Sequence, residues 1–219
     1  MDCNANRQSE VSVIRIVALI SGGIDSAVMC LMLKRHGADI RPLFIDYGQL
    51  AGPLEWQAVQ MICKHLDISP PVKMDVSGFG KLIPSGITDS KLDVKKKAFL
   101  PTRNLLFLSL GAAYAYSNDI YFVAIGLLSE SIFPDQTEEF VSHTQKTISQ
   151  ALGVNLRVLT PLIKFNKLDT IRLAKKYSLP LKITYSCHLG GKQPCGRCIS
   201  CQERIAALEY ITERDSNSG

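Results

Sequence analysis

The stretch Ser21-Gly22-Gly23-Ile24-Asp25-Ser26 constrains the fold more than any other feature of this sequence. It follows an apolar run at 13–20, typical of a buried strand, and precedes a helical pattern over 27–36 that Gly37 ends. Two glycines between a strand and a helix let the backbone approach an oxygen cluster closely. The N–H groups and the positive end of the helix dipole then favour an anion. The stretch therefore predicts a phosphate site, to which Ser21 and Ser26 add hydroxyl donors.

Asp25 distinguishes this stretch from a plain strand-to-helix turn with a serine N-cap. A carboxylate beside a phosphate site usually holds a divalent cation, most often Mg²⁺, and we predict that role for Asp25. The stretch is not a Walker A loop, because no Gly-x-x-x-x-Gly-Lys-Ser/Thr occurs in the chain. It also lacks the Gly-x-Gly-x-x-Gly pattern of dinucleotide-binding turns.

Strand and helix patterns alternate along the rest of the chain. Further strand patterns fill 39–45, 72–76, 121–125 and 156–159, and further helical patterns fill 53–66, 105–116 and two stretches that end at Ala151 and Tyr177. Alternation of this kind predicts an α/β fold with a parallel, doubly wound sheet and a ligand at the carboxyl ends of the strands. The loops 21–26, 46–49, 126–136 and 161–167 should then lie close together.

Three local signals add detail to this prediction. Asp135 with Glu138 resembles a capping box that opens the helix ending at Ala151. Asn166 is placed to cap the helix ending at Tyr177. The irregular region 77–98, which contains Lys95-Lys96-Lys97, suits either a lid or binding loop or a solvated linker.

Length and composition fit one soluble domain. The chain has 219 residues, 46% of them apolar, with a mean hydropathy of +0.09. Its apolar runs are strand-sized and its first ten residues carry no signal-peptide pattern, so we expect a cytoplasmic protein without a membrane partner. The net charge of +5 suits anionic substrates and is weak evidence for nucleic acid binding.

Four of the seven cysteines cluster near the C-terminus, at Cys187, Cys195, Cys198 and Cys201. Two short Cys-x-x-Cys loops let their sulfurs converge on one ion, and a closed four-thiolate shell is typical of structural Zn²⁺. An iron–sulfur cluster is the minor alternative, and a redox Cys-x-x-Cys leaves the fourth cysteine unexplained. His188 could compete as a ligand, although an exposed neighbour of Cys187 is the simpler interpretation. Cys30 and Cys63 fit buried helix faces.

The chain resembles the 7-cyano-7-deazaguanine synthase family within the pyrophosphatase-loop (PP-loop) ATP pyrophosphatases. The resemblance runs from about Arg15 to Glu209. It is carried by Ser21-Gly22-Gly23-Ile24-Asp25-Ser26, Asp46-Tyr47-Gly48-Gln49, Pro101-Thr102-Arg103-Asn104-Leu105-Leu106-Phe107-Leu108, Pro134-Asp135, Glu139-Phe140, Lys167, the four clustered cysteines with Gly196-Arg197 and Ile199-Ser200, and Arg204. The resemblance implies an adenine nucleotide alpha hydrolase-like fold with a C-terminal helical, zinc-binding segment.

The resemblance also implies a reaction and a set of site residues. ATP adenylates 7-carboxy-7-deazaguanine, ammonia gives the amide, and a second activation dehydrates it to the nitrile 7-cyano-7-deazaguanine (preQ0), in a homodimer with structural zinc. The implied ATP-binding residues are Ser21, Gly22, Gly23, Ile24, Asp25, Ser26, Arg103, Asn104 and Gly126. Asp25 with Mg²⁺, Arg103 and Lys167 are implied in catalysis, and Tyr47, Gln49, Phe133, Pro134 and Asp135 in substrate binding.

Departures from the family pattern leave the nitrogen acceptor open. Leu50-Ala51 stand where the family has Arg-His, and Glu55 comes one place later than the family's glutamate. Phe133 replaces a tyrosine in a segment that is two residues shorter. One alternative is therefore a paralogue that transfers the activated acyl group to an amine on a protein, encoded in the same operon, or on a nucleic acid, as in bacterial defence or modification systems. A tRNA-modifying PP-loop enzyme and a binding module without chemistry are weaker alternatives.

These signals divide the chain into four parts. We expect a flexible N-terminus over 1–12, a nucleotide-binding α/β domain over 13–180, a zinc-binding segment over 181–213 and a flexible tail over 214–219.

Overall fold

The computed structural model describes residues 13–130 and 133–216, with side chains described as far as Tyr210. The predicted flexible N-terminus, together with Ser131, Ile132 and the end of the predicted tail, lies outside the described residues. The strands are β1 (Arg15–Leu19), β2 (Asp39–Asp46), β3 (Val72–Asp75), β4 (Phe122–Ala124) and β5 (Arg157–Leu159). The helices are α1 (Ile24–Arg35), α2 (Gly52–Leu66), α3 (Gly78–Leu82), α4 (Arg103–Tyr116), α5 (Glu138–Leu152), α6 (Lys167–Lys176) and α7 (Ile199–Ser216), with short 3₁₀ turns at Pro134–Gln136 and Leu181–Ile183.

The five strands form one parallel sheet in the order β3-β2-β1-β4-β5, which confirms the predicted architecture. The first strand lies at the centre, with Leu19 beside Leu43 of β2 and Ala18 beside Ala124 of β4. The strand order reverses direction at β1, so the loop that follows β1 lies at the switch point where ligands bind in such sheets.

Alternate residues of the strands enter two separate cores. On one face Ile16, Ala18 and Ile20 pack with α1, α2, α6 and α7. On the other face Val17 and Leu19 pack with α4 and α5. Each fully buried aliphatic side chain contributes about 1.5–3 kcal/mol, so these two clusters hold the sheet and fix the position of the loops at its carboxyl edge.

A third cluster joins the C-terminal cysteines to the long segment before α4. Ile87, Val94, Ala98 and Leu100 are buried with Tyr47 and three of the cysteines. The lysines at 95–97 are exposed. The region 77–98 therefore contains the short helix α3 and then a packed loop, and it is neither a free linker nor an open lid.

The helix ends confirm one predicted cap and correct another. The Asn166 side chain accepts a hydrogen bond from the backbone N–H of Asp169, and the Asp169 carboxylate accepts one from the backbone N–H of Asn166. Helix α6 therefore begins with the predicted cap, which forms a complete capping box. The capping box predicted for Asp135 with Glu138 is wrong. Thr137 caps α5 by accepting from the N–H of Phe140, because Asp135 is already engaged in the preceding 3₁₀ turn.

Within the part of the chain that the structure describes, no helix is both long enough and apolar enough to cross a membrane.

Candidate functional site

The loop between β1 and α1 is shaped by glycine and by two serines. Gly22 has φ +81°, and a Cβ placed there would lie 2.5 Å from the carbonyl oxygen of Glu55. The Ser26 hydroxyl donates to the carbonyl of Gly23 (3.0 Å) and lies 3.2 Å from the Ser21 hydroxyl. The chain thus enters α1 tightly against α2, with the N–H groups of the first helical turn at the carboxyl edge of the sheet.

Asp25 and Lys167 meet across this edge although they are far apart in sequence. Lys167 Nζ lies 2.6 Å from Asp25 Oδ2, and both side chains are largely buried. The second carboxylate oxygen, Asp25 Oδ1, is buried and has no hydrogen-bond partner among the described residues. A buried carboxylate oxygen without a donor is costly, so Oδ1 suits an Mg²⁺ ion that a nucleotide would bring. The residues present therefore fit the predicted cation.

A cavity of about 310 Å³ opens beside this pair. It joins the predicted loops with the start of α4 and with residues near the C-terminus. The residues of the predicted site that line it are Ser21, Gly23, Asp25, Ser26, Tyr47, Gln49, Arg103, Asn104, Gly126, Phe133 and Lys167. The structure thus brings together 11 of the 15 residues predicted to bind nucleotide or substrate or to act in catalysis, in a cavity of the size that small-molecule sites have.

Four of the predicted residues do not line the cavity. Ile24 points into the core, and the carbonyl of Gly22 accepts from the N–H of Tyr185 at 2.8 Å. Asp135 is buried, and it accepts from the backbone N–H of Asn104 (3.2 Å) through its side chain and from Asn104 Nδ2 (3.0 Å) through its carbonyl. Asp135, next to Pro134, therefore holds the start of α4 in place from outside the cavity.

Glu55 is a further polar residue that lines the cavity, and the sequence prediction did not include it among the site residues. Gln49 holds it: Nε2 of Gln49 donates to Glu55 Oε2 at 2.9 Å and to the carbonyl of Ile45 at 3.4 Å. Burial raises the pKa of Glu55 to about 7, against the opposing effects of Gln49 and Arg103. The only sequence signal for Glu55 was its place shortly after the Tyr-Gly-Gln motif.

The rings of Tyr47, Phe107 and Phe133 line the cavity, and Tyr47 lies near enough to Glu55 to be affected by its charge. The rings of Tyr47 and Phe107 lie 5.3 Å apart, and those of Phe99 and Phe133 lie 5.2 Å apart. Burial raises the pKa of the Tyr47 hydroxyl well above its usual range, while Arg103 opposes this shift. The phenol is therefore neutral at physiological pH. We call this side of the cavity, formed by 21–26, 45–49 and Glu55, the loop wall.

The opposite side of the cavity, residues 187–203, is here called the cysteine wall. The sulfur atoms of Cys187, Cys195, Cys198 and Cys201 all lie within 4.8 Å of one another. Four sulfurs around one tetrahedral ion with bonds of about 2.3 Å would be roughly 3.8 Å apart, so the donor set fits a single metal ion with only small movements. His188, Ile199, Ser200 and Glu203 from this wall line the cavity.

His188 is not the exposed neighbour of Cys187 that the sequence favoured. It is partly buried, its Nε2 lies 2.8 Å from the Ser200 hydroxyl, and it stands outside the group of four sulfurs. Burial, with Arg103 and Lys167 nearby, lowers its pKa to about 4. Sequence reasoning missed the whole contribution of the cysteine wall to the cavity, because only the fold brings the two walls together.

The sheet order, the loop after β1 and the Asp25–Lys167 pair define a PP-loop protein of the adenine nucleotide alpha hydrolase-like class. The solved structures that share this fold include the following two. An ammonia-dependent NAD synthetase from Campylobacter jejuni has a TM-score of 0.51 at 16% identity, covering 94% of this chain and 78% of that one. The U34-tRNA thiolase of Methanococcus maripaludis, solved with its [4Fe-4S] cluster, has a TM-score of 0.52 at 15% identity, covering 92% and 67%.

The family is narrower than this class. Residues 15–212 match the family described as queuosine biosynthesis protein QueC. A 7-cyano-7-deazaguanine synthase from Campylobacter jejuni is 31% identical over 215 residues, covering 92% of this chain and 96% of that protein. The chain belongs to the QueC family, and with it to the ATP-dependent C–N ligases.

Proposed function

We propose that this protein converts 7-carboxy-7-deazaguanine to 7-cyano-7-deazaguanine with ATP and ammonia. The observation that carries the proposal is that one cavity joins the phosphate-type loop and the Asp25–Lys167 pair to an aromatic end with a carboxylate, Glu55. The cavity therefore offers groups that suit the phosphates of a nucleotide and groups that suit a planar base. The name of the Campylobacter jejuni relative supports the substrate class.

The loop wall binds the phosphates of ATP. The N–H groups at the start of α1 and the hydroxyls of Ser21 and Ser26 face the phosphate oxygens. Asp25 Oδ1 helps to hold Mg²⁺, which supplies charge neutralisation and orientation of the phosphates when bound. Lys167 and Arg103 stabilise the negative charge that develops on the departing pyrophosphate.

The acid binds beyond Arg103, where the rings of Tyr47 and Phe133 flank the planar base. A carboxylate oxygen of the acid attacks the α-phosphorus of ATP and expels pyrophosphate, which leaves an acyl adenylate. Ammonia then attacks the acyl carbon, loses a proton and expels AMP to give the amide. A second ATP adenylates the amide oxygen with release of pyrophosphate. Loss of the amide protons and of AMP from that adenylate leaves the nitrile.

Ammonia, rather than a tethered amine, is the acceptor in this proposal. The sequence suggested that Leu50 and Ala51, in place of Arg-His, reshape the side where the nucleophile enters. In the structure Ala51 is buried, and the N–H of Leu50 donates to the carbonyl of Ile87 at 2.9 Å. Neither residue lines the cavity that holds Asp25, so their replacement does not enlarge it. A homodimer and a structural Zn²⁺ in the four-thiolate site complete the proposal.

Mass spectrometry of the products tests the reaction. Protein incubated with ATP, Mg²⁺, ammonium and 7-carboxy-7-deazaguanine should yield the nitrile, AMP and pyrophosphate. Asp25→Asn should lower AMP formation about 100-fold or more, because it removes the anionic oxygen beside the phosphates. Asp67→Asn, which removes the same charge from a fully exposed side chain, should leave the rate unchanged. Mass added to a protein encoded in the same operon, without free nitrile, would instead support the amine-conjugating alternative.

A further inference from the structure

Glu55 is a carboxylate with too few donors. A carboxylate has about four acceptor positions on its two oxygens, and on the described residues a single donor, Gln49 Nε2, fills one of them. Glu55 forms no ion pair with any residue in the described part of the chain, although the positive charge of Arg103 is near enough to affect it. The side chain is partly buried and lines the cavity. A ligand with two neighbouring donors would satisfy the acceptor positions that the protein leaves open.

Gln49 is fully committed to holding this carboxylate in place. Its Oε1 accepts from the backbone N–H of Tyr47 at 2.9 Å, and its Nε2 donates to the carbonyl of Ile45 and to Glu55. Both amide hydrogens are thereby used. Gln49, predicted from the sequence to bind the substrate, therefore has no free donor for a base. The adjacent Glu55 carboxylate is the group that still has open acceptor positions.

The chemistry of Glu55 selects one kind of base edge. A guanine-type ring presents two neighbouring donors, the ring N1–H and the 2-amino group, and a carboxylate accepts both at once. Adenine presents one donor, its 6-amino group, beside an acceptor at N1, so it satisfies one carboxylate oxygen and places a lone pair opposite the other. Hydrogen bonds to a charged acceptor in a desolvated site discriminate strongly against ligands that lack the donor.

We propose that Glu55 is the specificity-determining residue of this site: its carboxylate, oriented by Gln49, accepts hydrogen bonds from the N1–H and 2-amino edge of the deazaguanine. The inference rests on the proposed function, because it takes the acid as the ligand at the aromatic end. It assigns the phosphates of ATP to residues 21–26 and the guanine-type base to the Glu55 carboxylate, so that the two heterocycles do not exchange places.

Calorimetric binding tests the assignment with three probes: 7-carboxy-7-deazaguanine, the same acid without its 2-amino group, and α,β-methylene-ATP with Mg²⁺. The protein should bind the first acid about ten- to hundredfold more tightly than the second. In Glu55→Gln, which keeps the shape and removes the charge, this preference should fall to about threefold or less. Binding of the ATP analogue should stay unchanged.

Glu203→Gln is the matched control, because Glu203 lines the same cavity at its Lys167 end. It should retain the preference for the 2-amino compound. If Glu203→Gln removed the preference equally, the effect would come from the charge of the cavity, and the assignment to Glu55 would be wrong. An unchanged preference in Glu55→Gln would also overturn it while leaving the proposed function intact. Failure of the unsubstituted protein to bind either acid would overturn the proposed function and this inference together.

Gln49 acts through Glu55 in this assignment, as a positioning residue. Gln49→Met should weaken binding of 7-carboxy-7-deazaguanine, because the carboxylate is no longer held. Added to Glu55→Gln it should cause little further loss, since the two residues then act as one unit. Additive losses in the double variant would show that Gln49 contributes independently of Glu55 and would contradict the positioning role.

Discussion

The two walls of the cavity are built by different physical means. The loop wall rises from the sheet, and its neighbours Ile20, Ile24 and Phe44 are almost completely buried in the apolar core. Between residues 187 and 203 the buried side chains are those of Cys187, Cys198 and Cys201. Apolar burial therefore holds one wall, whereas the other has little core of its own and depends on four converging thiolates.

Specific contacts beside the two walls connect the C-terminal segment to the rest of the domain and hold that segment in shape. The N–H of Tyr185 donates to the carbonyl of Gly22 at 2.8 Å. A Cβ at Gly190, where φ is +69°, would lie 2.2 Å from the carbonyl oxygen of Leu50. Arg204 of α7 reaches back to the hydroxyls of Thr184 (2.7 Å) and Ser186 (3.1 Å). From this difference we expect the phosphate site to persist without the cysteine wall, whereas the complete cavity should not.

The largest effect should come from breaking the cysteine wall. Cys198→Ser should lose the bound metal, which we expect to be about one Zn²⁺ per chain, and should destabilise the protein by more than about 4 kcal/mol. In hydrogen exchange the amides of 187–204 should lose protection while those of β1 and β2 keep it. Metal analysis, thermal unfolding and exchange measure these three outcomes.

The matched control is Cys63→Ala, which removes a buried thiol from the apolar core. It should keep the metal content unchanged. Equal loss of protection across the sheet in Cys198→Ser would show that the two walls are one cooperative unit and would contradict the comparison. The visible absorbance of an iron–sulfur cluster in the unsubstituted protein would replace zinc by the alternative metal centre.

An intermediate effect should come from the loop wall. Gly22→Ala forces a Cβ into a left-handed backbone position and against the Glu55 carbonyl. These two effects should cost roughly 2–5 kcal/mol together. Gly37→Ala, at the other end of α1, meets nothing within 4 Å at φ +80° and should cost only about 1–2 kcal/mol. Equal melting temperatures for the two variants would show that the close contact between α1 and α2 does not contribute to the stability of the protein.

The smallest effect should be a pH-dependent one at Glu55. Because the pKa of Glu55 is about 7 in the native state and 4.5 in its reference state, the native protein binds a proton more tightly than the unfolded chain does. This group therefore lowers stability as pH rises from 4.5 to 7, and the full penalty is present above pH 7. Glu55→Gln removes the charge but leaves a partly buried amide that keeps part of the cost, so at pH 8 it should raise the melting temperature by about 2–4 °C, equivalent to roughly 1 kcal/mol, and at pH 4.5 by almost nothing.

The exposed Glu209→Gln provides the control, since its effect should be the same at both pH values. Burial is the first cause of the Glu55 shift, with Asp46 adding to it and with Gln49 and Arg103 opposing it. A melting temperature difference for Glu55→Gln that did not change with pH would contradict the penalty. Scanning calorimetry of the ligand-free variants at both pH values measures these melting temperatures.

Local signals in the sequence determined the architecture and most of the cavity. Periodic apolar patterns predicted the parallel sheet and placed the helices, because strands buried on both faces and amphipathic helices leave strong repeats. The buried stripe Val59, Ile62, Cys63 and Leu66 of α2 lies where the spacing predicted it. The carboxyl-edge rule then placed Asp25 and Lys167 at one site, because the parallel strands end at the same edge of the sheet, and the family resemblance added Arg103.

The tertiary structure alone decided which side chains meet. The sequence predicted that Asp135 caps a helix and contacts the substrate, but Asp135 binds Asn104, which is 31 residues away in sequence. The sequence predicted that Gln49 contacts the base, but its amide nitrogen donates to the carbonyl of Ile45 and to the carboxylate of Glu55. Hydrogen bonds between side chains distant in sequence leave no local pattern, and neither does the docking of 187–203 on the cavity. The sequence by itself therefore determined the sheet, the phosphate loop and the four thiolates, whereas only the fold decided that the cysteine wall closes the cavity and that Glu55 faces into it.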